Sequence, residues 1–205
     1  MNLAKSRESA ARWAAEPVAA ILGKTRLKPN TVTWLGLGVN VIAAGTIAAD
    51  YLIVSGVLVL IAGLFDVFDG ALARTTNQTS RFGALLDSTF DRISEAVLFL
   101  GLLALYVINF SPTGFIFAPE TERAAAIALI FLALVGSFLT SYTRARAEAL
   151  GIECRLGLFT RFERVIILAL GLLFKQILIA LLILVVFAFI TVGQRLLHVK
   201  QQVRD

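Results

Sequence analysis

Residues that build disulfide scaffolds and zinc sites are almost absent from this sequence. Its 205 residues include one cysteine, Cys154, and one histidine, His198. A lone cysteine cannot form an internal disulfide, and neither residue has a partner of its own kind with which to hold zinc. We therefore expect a structural role for Cys154 and an interfacial role for His198.

Charged residues are scarce as well, since they make up 16% of the chain while hydrophobic residues make up 58%. Several apolar runs approach the roughly 20 residues that a helix needs to span a bilayer, which predicts an integral membrane protein. The net charge of +5 would suggest a nucleic-acid partner for a soluble protein. In a membrane protein, basic residues instead set the topology and meet anionic lipid headgroups, so we expect membrane lipids and no nucleic acid as partners.

The first thirty residues lack the continuous apolar core of a signal peptide, because charges alternate with small apolar residues. This pattern predicts an amphipathic helix at residues 4–22 that lies in the membrane interface. We assign residues 1–30 to a juxtamembrane segment and residues 31–205 to a membrane domain.

The remaining apolar runs predict an all-α membrane domain of six transmembrane helices. Their predicted ranges are 31–49, 52–74, 82–108, 124–142, 165–174 and 177–192. The fifth run is short, so its helix should begin near Leu158 and include charged residues at its aqueous end. Residues 111–121, with two prolines, predict a loop between the third and fourth spans.

The distribution of lysine and arginine predicts the orientation of the chain. With six spans, nearly all of these residues fall on one side, and only Arg123 and Lys175 fall on the other. The positive-inside rule then places both termini in the cytoplasm of a multi-pass protein of the inner or plasma membrane.

Four aspartates lie in or beside apolar sequence at the cytoplasmic ends of the second and third spans: Asp66, Asp69, Asp87 and Asp91. Carboxylates in such a setting need protonation or cations. Spacings of three and four residues put each pair on one helical face, and a short connection lets the pairs converge. Hard oxygen donors in this number favour Mg²⁺ or Mn²⁺, with two ions around a diphosphate.

Small residues accompany the aspartates. Gly70 and Ala73 follow the first pair, and Gly83 precedes Asp87 by one turn, which leaves room for a ligand or for the partner helix. Arg74, at the end of its helix, is placed to contact phosphate oxygens.

Two other interpretations of the aspartates stay open. They could form a salt-bridged rim with Arg74, Arg81 and Arg92, although such a rim does not explain the small residues at the same helical phases. They could also line an ion pathway in a transporter, although transporters commonly show internal repeats and sites near the membrane midplane.

The pattern Asp66-x2-Asp69-Gly70-x2-Ala73-Arg74-x8-Gly83-x3-Asp87-x3-Asp91 is similar to the signature of the CDP-alcohol phosphotransferases at all eight positions. The resemblance implies transfer of a phosphatidyl-type group from a CDP-linked lipid to an alcohol, with release of CMP, by a homodimeric membrane enzyme. It implies that Asp66, Asp69 and Asp87 are metal ligands, and that Asp91 completes the metal site and acts as the base.

The same resemblance implies a set of contacts to the CDP moiety, made by Asp66, Asp69, Gly70, Arg74, Gly83 and Asp87. The stretch that contains Asn30 and Thr33 resembles the family's entry to its first span, where contact with the nucleotide is expected. A helix cap by Asn30 or Thr31 is the equally open alternative.

Four further arginines lie at the cytoplasmic ends of the last three spans: Arg144, Arg146, Arg164 and Arg195. Guanidinium groups match phosphate oxygens, so these residues predict an acceptor that itself carries a phosphate. For Arg155, Arg161, Lys200 and Arg204 we favour anchoring at the inner membrane surface.

The segment at 141–148, the Glu-Arg pair at 163–164 and the Gln-Arg-Leu at 194–196 resemble bacterial phosphatidylinositol phosphate synthases and their archaeal ether-lipid counterparts. Phe162 departs from the proline of some of those enzymes. The resemblance implies inositol 1-phosphate as the acceptor. Three alternatives stay open: a phosphatidylglycerophosphate synthase that uses glycerol 3-phosphate, an ion or metabolite transporter, and a non-catalytic membrane scaffold.

Overall fold

The computed structural model describes residues 29–75, 80–109, 118–154, 156–157 and 159–203. These residues form six helices and no strands: α1 Pro29–Ala48, α2 Leu52–Thr75, α3 Arg81–Ile108, α4 Pro119–Ala149, α5 Arg161–Leu173 and α6 Ile177–Val203. The predicted all-α class is confirmed, and each of the six predicted spans falls on one of these helices. The amphipathic helix predicted at residues 4–22 lies outside the described ranges.

The predicted ends of two helices are wrong. α4 begins at Pro119 instead of residue 124 and continues to Ala149. Proline is tolerated in the first turn because its missing N–H has no intrahelical partner there. α5 begins at Arg161 instead of near Leu158, because the Glu163 carboxylate accepts a 2.7 Å hydrogen bond from the Thr160 backbone N–H in a capping box.

Four helices in the described part of the chain are long and apolar enough to cross a membrane: Asn30–Ala48, Leu52–Asp69, Pro119–Ala149 and Ile177–Val203. α3 carries several charges in its first half, and α5 has only 13 residues. Large apolar side chains such as Ile42 and Leu182 are exposed on these helices, as expected for surfaces that face lipid. The helices fit a multi-pass membrane protein.

The helices pack around one apolar core that includes Ile47, Leu102, Leu172 and Leu181. α1 packs against α2 and α3, α5 packs against α2 and α6, and α6 packs against α4. The short connection between α2 and α3 places the end of one helix beside the start of the other. The end of α2 and the starts of α1, α3 and α5 therefore share one end of the bundle.

One contact between α1 and α3 is made by backbone atoms. A Cβ atom on Gly101 would lie 2.6 Å from the carbonyl oxygen of Ala44, which no side chain can tolerate. Glycine is therefore needed at this position for the two helices to approach.

The two residues assigned non-catalytic roles from the sequence lie near the loop that precedes α5. Cys154 is fully buried with a free thiol, as a structural role requires. His198 lies on α6, with its Nε2 atom 3.3 Å from the carbonyl oxygen of Glu153.

Candidate active site

The deepest of the four aspartates is held in place by α1. Asp69 is 5% exposed, and its Oδ2 atom accepts a 2.9 Å hydrogen bond from the hydroxyl of Thr33, which is also buried. This bond joins the first turns of α1 to the last turns of α2. Thr33, for which we predicted contact with the nucleotide, therefore orients a carboxylate of the candidate metal site.

A guanidinium group from α5 lies between the other two helices. Arg161 Nη1 is 2.5 Å from Asp66 Oδ2 on α2 and 2.8 Å from Asp91 Oδ1 on α3. All three side chains are about four-fifths buried, since Arg161 is 20% exposed and each aspartate is 18% exposed. Arg161 thus belongs to the aspartate site, and the anchoring role that we favoured from the sequence is wrong.

The geometry of Arg161 leaves one of its donors without an acceptor. Its Nε atom is buried and makes no hydrogen bond with any residue that the structure describes. Burying such a donor costs about 1–3 kcal/mol. The side chain is therefore held by its two charged contacts, and its full set of hydrogen bonds is not satisfied.

Asp87 and Asp91 line a cleft of about 1060 Å³ between α3 and α4. Asp91 Oδ2 also lies 3.5 Å from Arg92 Nη1. This is a contact of the kind that the alternative interpretation, a salt-bridged rim, predicts. Farther along the two helices, the cleft is lined by Val97, Leu100 and Phe138. A polar end that continues into an apolar groove suits an amphiphilic ligand.

Gly83 brings the start of α3 close to the start of α1. Its backbone N–H donates a 2.9 Å hydrogen bond to the hydroxyl of Ser80, the N-cap residue of α3. A Cβ atom on Gly83 would lie 2.9 Å from that hydroxyl oxygen and 3.7 Å from Asn30 Oδ1. Asn30 and Gly83, both expected to contact the CDP moiety, therefore lie close together. Gly70 and Arg74 both lie on α2, but the surroundings of Gly70 and the side chain of Arg74 are outside the part of the chain that the structure describes.

Two of the four arginines predicted to bind an acceptor phosphate are buried in contacts with the protein. Arg164 forms a two-point ion pair with Glu95, with Nε 2.8 Å from Oε1 and Nη2 3.2 Å from Oε2. Arg195 donates from Nε to the carbonyl oxygen of Leu156 at 2.9 Å and from Nη1 to that of Thr140. These bonds tie α5 to α3, and α6 to α4 and the loop that precedes α5.

The other two arginines are accessible. Arg144 lines the cleft and pairs with Glu148 one turn later at 2.8 Å, with about half of each side chain exposed. Arg146 is exposed on the same helix. Arg155 and Arg204, which we assigned to membrane anchoring, lie outside the described ranges.

The chemistry of the site fits a divalent cation. No three acidic, histidine or cysteine side chains in the described ranges surround one point. Asp66 and Asp91 instead share the Arg161 guanidinium. That nitrogen stands where a cation shared by α2 and α3 would lie. Carboxylate oxygens are the ligands that Mg²⁺ and Mn²⁺ prefer.

Comparison with known proteins extends these observations. The family model for CDP-alcohol phosphatidyltransferase matches residues 26–193. The archaetidylinositol phosphate synthase of Pyrococcus horikoshii is 30% identical over 91% of this chain and 91% of its own length. The phosphatidylinositol phosphate synthase of Mycobacteroides abscessus is 33% identical over 93% of this chain and 85% of its own length.

Two crystal structures of Mycobacterium tuberculosis phosphatidylinositol phosphate synthase share the fold at 32% identity. One holds CDP-DAG and gives a TM-score of 0.76 over 90% of this chain and 92% of the other. The second holds manganese and citrate and gives a TM-score of 0.77 over 90% and 88%. The match over most of the chain, together with the aspartates on α2 and α3, shows that this protein belongs to the CDP-alcohol phosphatidyltransferase family of enzymes.

Proposed function

We propose that this enzyme transfers the phosphatidyl group of a CDP-diacylglycerol-type lipid to inositol 1-phosphate, releasing CMP and forming a phosphatidylinositol phosphate. The observation that carries the proposal is that Asp66 of α2 and Asp91 of α3 meet at one guanidinium, and that Asp91 lines the polar end of a cleft that continues into an apolar groove. The similarity to two enzymes named for inositol phosphate products supports the acceptor.

The proposed membrane arrangement has six spans, because α3 and α5 join the four long apolar helices. An amphipathic segment at residues 1–30 precedes the membrane domain at 31–205, and both termini and the aspartates face the cytoplasm. The lipid chains then stay in the bilayer while the soluble acceptor and CMP exchange with water. A homodimer is part of the proposal, on the family resemblance alone.

Asp66, Asp69, Asp87 and Asp91 would hold two Mg²⁺ or Mn²⁺ ions, and the manganese complex of a related enzyme supports the use of a divalent metal. When bound, such ions neutralise the diphosphate and the charge that develops on the CMP leaving group. The chain's own task is to fix these carboxylates. Thr33 does so for Asp69 through its hydroxyl.

Asp91 is the proposed base. It lies at the cleft wall, where an acceptor hydroxyl can approach it from solvent. Its carboxylate accepts the hydroxyl proton as the oxygen attacks the lipid-side phosphorus, and the bond from that phosphorus to the CMP oxygen breaks. Asn30, Gly70, Arg74 and Gly83 are the proposed neighbours of the CDP moiety, beside the aspartates themselves.

The acceptor phosphate is proposed to bind at the arginines of α4, α5 and α6. Arg144 and Arg146 are accessible to a soluble ligand. Arg164 and Arg195 are fixed by Glu95 and by backbone carbonyl groups, so they would present their remaining N–H donors from a rigid position.

An acceptor panel tests the proposal. The purified protein is given CDP-diacylglycerol with inositol 1-phosphate, glycerol 3-phosphate or unphosphorylated inositol, in Mg²⁺, Mn²⁺ or EDTA, and CMP and lipid products are measured by mass spectrometry. We expect CMP and phosphatidylinositol phosphate with inositol 1-phosphate and a divalent metal, and neither in EDTA.

The remaining outcomes identify the alternatives. Turnover with glycerol 3-phosphate but not with inositol 1-phosphate would replace the proposed acceptor and indicate a phosphatidylglycerophosphate synthase. Full turnover in EDTA would remove the metal from the proposal. An archaeal-type ether donor used in place of the diacyl lipid would change the donor while leaving the reaction class intact.

A further inference from the structure

The position of Arg161 is unfavourable for α5 itself. Arg161 is the first residue of that helix, where the positive end of the helix dipole disfavours a cation. Its buried Nε atom makes no hydrogen bond within the described part of the chain. Within the described residues, the guanidinium forms ion pairs with Asp66 and Asp91. The side chain is therefore placed for the two carboxylates.

The backbone of Arg161 is fixed, and one of the carboxylates that its side chain contacts borders an open cleft. The capping box of Thr160 and Glu163 holds the start of α5, and the neighbouring Asp91 borders the open cleft. An arginine stem has several rotatable bonds, so the guanidinium can leave the carboxylates without displacing the helix. A single nitrogen that touches carboxylates from two helices also blocks any other cation from lying between them.

We propose that Arg161 is a displaceable counter-ion, whose guanidinium between Asp66 and Asp91 competes with a divalent metal for these two carboxylates and leaves this position when the metal binds. The inference rests on the proposed function, which supplies the metal. While it lies between the two carboxylates, the guanidinium neutralises their charge and lowers the apparent metal affinity, because only the fraction of molecules with the guanidinium displaced can bind the ion.

Equilibrium binding of Mn²⁺ tests this competition without use of the reaction. The electron paramagnetic resonance signal of free Mn²⁺ gives the Kd for the wild-type protein in detergent, for Arg161→Gln and for Arg144→Gln. Arg144 is a matched control, since it is an arginine of the same cleft whose ion pair is with Glu148. We expect the Kd to fall about tenfold or more in Arg161→Gln, because a cation adjacent to the metal site is removed. Arg144→Gln should change it by less than about threefold.

A Kd for Mn²⁺ in Arg161→Gln that equals or exceeds the wild-type value would overturn the inference. Absence of Mn²⁺ binding by every form, the wild type included, would instead contradict the proposed metal site. The two failures are therefore distinguishable.

A second measurement needs no variant. Phenylglyoxal modifies accessible arginines, and peptide mass spectrometry gives the extent of modification of Arg161 with and without Mn²⁺. We expect Mn²⁺ to raise the modification of Arg161 and to leave unchanged that of Arg123, which donates to the Val107 carbonyl oxygen far along α4 from the site. Equal or lower modification of Arg161 in Mn²⁺ would overturn the inference.

Discussion

Glu95 and Arg164 form an ion pair inside the bundle, with two parallel contacts of 2.8 Å and 3.2 Å between α3 and α5. Both side chains are more than nine-tenths buried. The pair lies one helical turn beyond Asp91 on α3 and one turn beyond Arg161 on α5. It therefore fixes the distance between the helix that carries the proposed base and the helix that carries the counter-ion.

Removal of one partner of this pair should destabilise the protein. Glu95→Ala leaves the Arg164 guanidinium buried without its carboxylate, and we expect a loss of about 3–5 kcal/mol, measured as the free energy of unfolding in detergent. The control is Glu148→Ala, which breaks the exposed pair with Arg144 at the same 2.8 Å and should cost less than about 1 kcal/mol. Equal losses in the two variants would show that burial does not set the strength of these pairs.

The Gly101 contact gives a second prediction about stability. Gly101→Ala introduces a Cβ 2.6 Å from the Ala44 carbonyl oxygen, so α1 and α3 must separate, and we expect a loss of about 1–3 kcal/mol in the free energy of unfolding. A Cβ on Gly38, also in a helix, meets no atom within 4 Å. Gly38→Ala should therefore be neutral or stabilising by up to about 1 kcal/mol, and a loss as large as that of Gly101→Ala would contradict the close packing.

The hydroxyl of Thr33 should matter for metal affinity. Thr33→Val removes the donor to Asp69 while keeping the shape of the side chain, and we expect the Mg²⁺ concentration for half-maximal CMP release to rise about 10–100-fold. Thr33→Ser keeps the hydroxyl and should stay close to the wild type. If the two variants behaved alike, the hydrogen bond would have no role in holding the metal ligand.

Asp91 should be needed for turnover. Asp91→Asn cannot accept a proton, and we expect the rate of CMP release to fall by about 100-fold or more at saturating metal. Asp50→Asn is the control, because Asp50 is exposed in the turn between α1 and α2 at the opposite end of the bundle. A fully active Asp91→Asn would favour the scaffold interpretation, or a different base.

The helices and the aspartate site could be predicted from local information. Apolar runs give helix positions, and spacings of three and four residues put Asp66 with Asp69 and Asp87 with Asp91. The short α2 to α3 connection then requires the pairs to lie at the same end. The start of α5 was missed, although Thr160 and Glu163 have the spacing of a capping box that would have placed it.

The partners of the arginines could not be predicted in this way. In the sequence, Arg161 is one of several basic residues in a connector. Its contacts to Asp66 and Asp91 depend on where α5 lies relative to α2 and α3. The same holds for Arg164, whose partner Glu95 is 69 residues away. The number of charges was a usable signal, because four carboxylates in apolar surroundings require cations and Arg161 begins a helix at the same end of the bundle.

The order of residues in the chain determines when the Arg161 contacts can form during synthesis. Synthesis runs from the N-terminus, so the ribosome makes Asp66 and Asp91 well before it makes the arginine that neutralises them. In the absence of metal, their charge cannot be balanced by Arg161 until α5 has been translated. Closure of this end of the bundle therefore has to wait for a late segment of the nascent chain.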